Sequence, residues 1–109
     1  MTQVATIDSL RSLGFAAIGA AYAAVGSAAV KPIRIICFTN GTDADMIFTD
    51  DLTKNKLFVA AGSFKLFDIS TNRDTFDSML VFSAGSQYFV KQVTAPSKGS
   101  VYIEMIYGS

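Results

Sequence analysis

The sequence predicts an all-β sandwich, and three observations carry that expectation. Apolar runs of strand length recur along the chain, with turn signals about every ten residues. Outside one segment near the N-terminus there is no amphipathic stretch long enough for a helix, and no internal repeat of fixed period. The 109 residues suffice for one modest core and are too few for two domains.

In chain order, residues 1–12 have no strong periodicity and read as an N-terminal arm, with 13–109 as the sandwich domain. Residues 12–30, SLGFAAIGAAYAAVGSAAV, carry no charge and allow three readings. As a membrane span the run is weakly apolar, because Ala and Gly dominate it. As a signal peptide it lacks a basic leader, although Ser27-Ala28-Ala29 resembles a cleavage site. As folded β structure it sets Leu13, Phe15 and Ala17 on one face, and Gly14, Gly19 and Gly26 weaken the helical alternative.

Pro32–Asn40 is the clearest strand, with Ile33, Ile35 and Cys37 on one face and Arg34, Ile36 and Phe38 on the other. Asn40-Gly41 is a hairpin signal and makes Met46–Thr49 a return strand. Lys56–Ala60 and Ser63–Ile69 follow as strands, the latter alternating Phe64 and Leu66 against Lys65 and Phe67. Ser70–Asp77 reads as a loop and Met79–Phe82 as a short strand. Gln87–Val93 and Ser100–Tyr107 flank a turn containing Pro96 and Gly99, which predicts a terminal hairpin. The total is eight or nine short strands, of jelly-roll or immunoglobulin-like type.

Composition narrows the function. The chain is 50% hydrophobic but only 17% charged, against about 25% in ordinary soluble domains. A small domain has the most surface per unit volume, so this shortage implies that partners cover part of it. Nine basic and nine acidic residues cancel, leaving no electrostatic footprint for nucleic acid. With no histidine, Ser-His and Cys-His nucleophiles and most transition-metal sites are excluded. Cys37 is the only cysteine, so no internal disulfide forms, as suits a reducing cytoplasm.

Candidate chemistry is sparse. Asp43, Asp45, Asp50 and Asp51 could supply oxygens to a hard cation, but the string NGTDADMIFTDD lacks a calcium-loop pattern and reads as turns. Glu104 is the only glutamate and has no second carboxylate placed near it for acid–base work. Cys37 lies on an apolar strand face and reads as a small hydrophobe. Asn40-Gly41-Thr42 matches a glycosylation sequon with no secretion signal in support. Tyr88, Phe89 and Tyr102 could stack bases, but only Lys91 and Lys98 stand near. No cofactor and no enzymatic activity are expected.

The main clue is two-faced hydrophobicity. Val101, Ile103, Met105 and Tyr107 face one way, with Tyr88 and Val90 also inward. That leaves Phe89, Lys91, Val93, Tyr102, Glu104 and Ile106 as an outward stripe. The stripe is either an interface or is covered within the chain by a second sheet or the N-terminal run.

Three phrases together, AAYAAVGSAAVKPIRIICFTNGTDADMIFTDD, LFVAAGSFKLFDISTN and SAGSQYFVKQVTAPSKGSVYIEMIYG, resemble small virion structural proteins of tailed bacteriophages. The matching residues are Tyr22, Val25-Gly26, Arg34, Asn40, Thr42-Asp43, Asp68, Thr71-Asn72, Gly85, Gln87, Phe89 and Gly99–Tyr102, with order and spacing carrying the weight. Leu52 departs from the pattern, standing after Asp50-Asp51 where a glycine is expected. The resemblance implies that residues 12–30 are folded β structure, and it brings no catalytic residues. It implies a virion protein made in the host bacterial cytoplasm. The expected role is a capsid decoration or cement protein, associating with its own copies and with the major capsid protein. A neck or tail adaptor or ring component is the alternative. A carbohydrate-binding module is a third reading. No nucleic-acid or membrane partner is expected.

Overall fold

The structure, a computed structural model, describes residues 5–68 and 84–108. The described residues are all-β, and their nine strands form two antiparallel sheets packed as a sandwich. The strands are β1 (Ala5–Ile7), β2 (Arg11–Gly14), β3 (Ala23–Ala24), β4 (Ile33–Asn40), β5 (Met46–Thr49), β6 (Leu57–Val59), β7 (Phe64–Asp68), β8 (Phe89–Gln92) and β9 (Ser100–Gly108). The first sheet runs β1-β9-β4-β7, with β2 also paired to β9; the second runs β3-β8-β5-β6. The expected strand at 79–82 and loop at 70–77 lie outside the described residues.

Two alternating inner faces build the core. β9 contributes Val101, Ile103, Met105 and Tyr107, and β4 contributes Ile33, Ile36 and Phe38, all buried. Met46 and Phe48 of β5, Val59 of β6 and Val90 of β8 face them from the second sheet. Phe38 joins the layers, its ring 5.3 Å from Phe48 and 5.4 Å from Tyr88. Ring pairs at such spacing add about 0.5–1.5 kcal/mol each beyond their buried area.

Residues 12–30 fold as β2, a 3-10 turn at Phe15–Ala17, β3 and connecting loops. Among the described residues no helix is long and apolar enough to cross a membrane. Ile18, Val25 and Ala29 are buried in the core, while Phe15 stays exposed. Residues 5–7 and 11–14 pair along β9, so the boundary expected at residue 13 falls inside a strand of the sandwich.

Both expected hairpins are absent, for the same reason. β8 and β9 belong to different sheets, as do β4 and β5. Pro and Gly between two apolar runs turn the chain, but they do not choose between pairing it back and arching it over the core. The inner faces decide: Tyr88 and Val90 are buried as Val101 and Ile103 are, so the two strands meet face to face across the core. The arches are tied together. Asp43 accepts hydrogen bonds from the Ser97 amide (2.8 Å) and from the Ser97 hydroxyl. Gly99 sits at φ 91°, against the Gly41 carbonyl, where any Cβ would collide.

The faces of β4 also differ from the simple alternation. A register shift between Ile33 and Ile35 breaks its pairing with β9, the signature of a β-bulge. The extra residue returns Ile33 to the inner face beside Ile36 and Phe38, and leaves Ile35 and Cys37 outward and half-buried.

Candidate functional site

The polar groups the sequence singles out are consumed by the fold. Asn40 is fully buried, and its amide nitrogen donates to the carbonyls of Ala44 (2.8 Å) and Val59 (2.9 Å). Its oxygen accepts from the Thr42 amide (3.0 Å) and hydroxyl (2.6 Å). The side chain is thus the internal scaffold of the β4–β5 arch, and its nitrogen is inaccessible as a glycosylation acceptor. The four aspartates hold separate posts. Asp43 binds Ser97, Asp45 accepts from the Ala61 amide (2.9 Å), Asp50 pairs with Lys56 (2.7 Å), and Asp51 accepts from the Thr53 amide and hydroxyl. Among the described residues no three acidic, cysteine or histidine side chains gather as a metal site would require.

Sequence reasoning missed a partly buried ion pair. Arg11, 6% exposed, donates to Asp8 (2.5 Å), to the Ser27 carbonyl (2.7 Å) and to the Ala28 carbonyl (3.2 Å). The Tyr107 hydroxyl donates to the same Asp8 oxygen and accepts from the Val30 amide (3.4 Å). The Tyr107 bond and then the Arg11 bond hold the Asp8 carboxyl below its ordinary 3.8. This clasp straps the loop at 26–30 to β2 and β9. Gly26, at φ 68°, lets the Arg11 stem pass, since a Cβ there would lie 2.6 Å from Arg11 Cγ. A lone Arg in a polar leader gives no signal of such burial.

One apolar cavity of about 310 Å³ opens between the sheets, walled by Phe38, Leu57, Phe67 and Tyr88, with Thr49, Asp50 and Lys56 also lining it. The Tyr88 hydroxyl is buried without a well-formed hydrogen bond, and burial pushes its pKa up, an effect damped by nearby Ser86. The Asp50 carboxylate is occupied by Lys56, so the cavity offers hydrophobic volume rather than an acid–base pair.

The remaining surface feature is the pair of outward sheet faces. On the first sheet, cross-strand register aligns Ile7, Ile106, Ile35 and Asp68 in one row, Glu104, Cys37 and Leu66 in the next, and Ser12, Tyr102, Thr39 and Phe64 in a third. Ile7, Phe64 and Leu66 are 80%, 64% and 56% exposed. An antiparallel sheet with a solvated outer face ordinarily alternates apolar and polar residues, and this one does not. On the second sheet, Phe89 stands beside Ala24 and Thr49, and Lys91 aligns with Ile47 and Phe58. Phe58 and Val93 are 48% and 47% exposed. Tyr22 leans over this face, with the Lys91 ammonium 4.8 Å from its ring centre and its hydroxyl bonded to Asn55 (2.5 Å).

The six residues expected as one stripe therefore divide. Phe89, Lys91 and Val93 belong to the second sheet; Tyr102, Glu104 and Ile106 face outward from the first, on the opposite side of the sandwich. The single stripe required a hairpin, and β8 and β9 do not form one. Comparison with family models, curated proteins and solved structures returns no match.

Proposed function

We propose that this chain is a non-enzymatic structural protein of a tailed-bacteriophage particle, acting as a capsid decoration or cement protein. It is made in the host cytoplasm and is incorporated into the virion, where it contacts its own copies and the major capsid protein. The observation that carries this reading is the apolar outer face of the first sheet, whose exposed Ile7, Phe64 and Leu66 have no use in an isolated domain. The residue-by-residue resemblance to phage virion proteins supplies the setting. The polar side chains near the loops are committed to internal hydrogen bonds, which leaves binding by surface complementarity as the activity. Many weak copies acting together would strengthen a shell without any one contact being tight.

Antibodies to this chain, applied to purified particles of the phage that encodes it, test the reading by electron microscopy. Labelling spread over the head is the expected result. Labelling confined to the neck or tail would transfer the function to the adaptor or ring alternative, and an unlabelled particle that also lacks the chain by mass spectrometry would overturn the proposal.

A further inference from the structure

The two outward faces differ in one respect that bears on how copies meet. In the middle row of the first sheet's face, the charged residue is an anion, Glu104, flanked across the strands by Cys37 and then Leu66. In the corresponding row of the second sheet's face, the charged residue is a cation, Lys91, flanked by Ile47 and then Phe58. Among the described residues the salt bridges are Asp8–Arg11 and Asp50–Lys56, so neither Glu104 nor Lys91 is held in one, although the Lys91 ammonium lies over the Tyr22 ring. Each face is thus a part-apolar platform with a charge in its middle row, Glu104 on the first, which also carries Asp68 at its β7 edge, and Lys91 on the second, so the two faces are opposite in sign.

Resting on the structural role proposed above, we infer that copies of this chain associate head to tail. The outer face of the first sheet of one copy packs on the outer face of the second sheet of the next, and Glu104 pairs with Lys91 across the contact. Charge complementarity selects this arrangement over a symmetric one. Packing either face on itself sets two like charges together in an apolar contact, which disfavours it, whereas packing unlike faces satisfies both. The zero net charge of the chain removes the long-range repulsion that would oppose stacking. Because the surfaces that meet are different and lie on opposite sides of the sandwich, the contact repeats. It closes into a ring if the rotation between copies allows, and otherwise extends as a filament.

The contact is small. Four short strands at about 4.8 Å spacing and about four residues at about 3.3 Å each give a platform of roughly 250 Å² in flat projection. That is well short of the roughly 800 Å² per partner of a standard stable interface, so association is weak and depends on concentration.

Charge reversal tests the inference, using Glu104→Lys and Lys91→Glu in the full chain. Both side chains point outward from strands, and an unchanged far-UV circular dichroism spectrum and urea midpoint would certify each fold. Sedimentation velocity across a concentration series then reads association. Each variant alone should associate about tenfold or more weakly than the native chain, since it sets like charges against each other. An equimolar mixture of the two should recover native association. In the mixture the reversed first-sheet face of one variant meets the reversed second-sheet face of the other, and the unaltered Glu104 meets the unaltered Lys91. Weakening of each variant alone together with recovery on mixing is the signature of unlike faces, because a contact of like faces would leave the single variants no weaker than the native chain. A mixture no better than its components, or variants that associate as the native chain does, would overturn the head-to-tail contact. The structural role would survive that result if the antibodies still label the particle.

Discussion

Asn40→Ala should be among the most damaging substitutions in the molecule, and its cost can be worked from the contacts. The amide makes four hydrogen bonds in a site with no solvent access. On truncation the Ala44 carbonyl keeps a donor, because the Thr42 hydroxyl already reaches it at 2.9 Å. The Thr42 amide and the Val59 carbonyl lose their Asn40 partner and stay buried. Each such lost bond to a buried group costs about 1–3 kcal/mol, so with the void left by the side chain the total is about 3–5 kcal/mol. That is a large part of the roughly 5–15 kcal/mol by which a domain is stable. Urea unfolding followed by circular dichroism should show the midpoint falling by about 2 M or more. Asn40→Asp should fare as badly at neutral pH, because it keeps the acceptor but loses both donors and buries a charge. A midpoint within about 0.5 M of the native value would refute the claim that this side chain scaffolds the arch.

Further outcomes follow from the same geometry. Asp8 is held below its ordinary 3.8 by Tyr107 and Arg11, so its contribution is intact above about pH 4 and is lost as pH falls through the lowered folded value. Asp8→Asn should therefore be less stable at neutral pH and show a shallower acid limb in thermal melts. Asp43 and Asp51 shift the same way, so part of the limb will remain. Gly26→Ala should destabilise by about 1–3 kcal/mol in chemical unfolding, since it combines a positive φ with a clash against the Arg11 stem. Phe38→Ala should cost about 3–5 kcal/mol and merge its space with the neighbouring cavity, which equilibrium unfolding would register. Tyr102→Asp and Phe89→Asp should each weaken association while leaving the circular dichroism spectrum unchanged; loss of the folded spectrum in both would make these residues core rather than surface.

The strands themselves were legible because alternation is local. Ile33–Asn40, Met46–Thr49, Leu57–Val59 and Phe64–Asp68 fall within the runs that composition marks as strands. Partnering was not legible. Among the described strands only β5 and β6 are neighbours both in sequence and in a sheet, so nearly every pairing depends on distant residues. Hairpin signals such as Asn40-Gly41 describe a turn, and the buried Asn40 amide shows why this one crosses between layers instead. The bulge before Ile35 was equally hidden, since simple alternation groups Ile33 with Ile35 and only the pairing with β9 shows Ile33 sharing the inner face with Ile36 and Phe38. Outward residues were identified singly from alternation, but their grouping required the sheet order. That order converts one expected stripe into two faces of opposite charge.

The most direct test of the account is the solution mass of the native chain, measured by light scattering over a concentration series. Assembly through outward faces predicts a mass near one 11.6 kDa chain at low concentration that rises in steps of one chain as concentration increases. A mass that stays at a single chain throughout would contradict association through these faces.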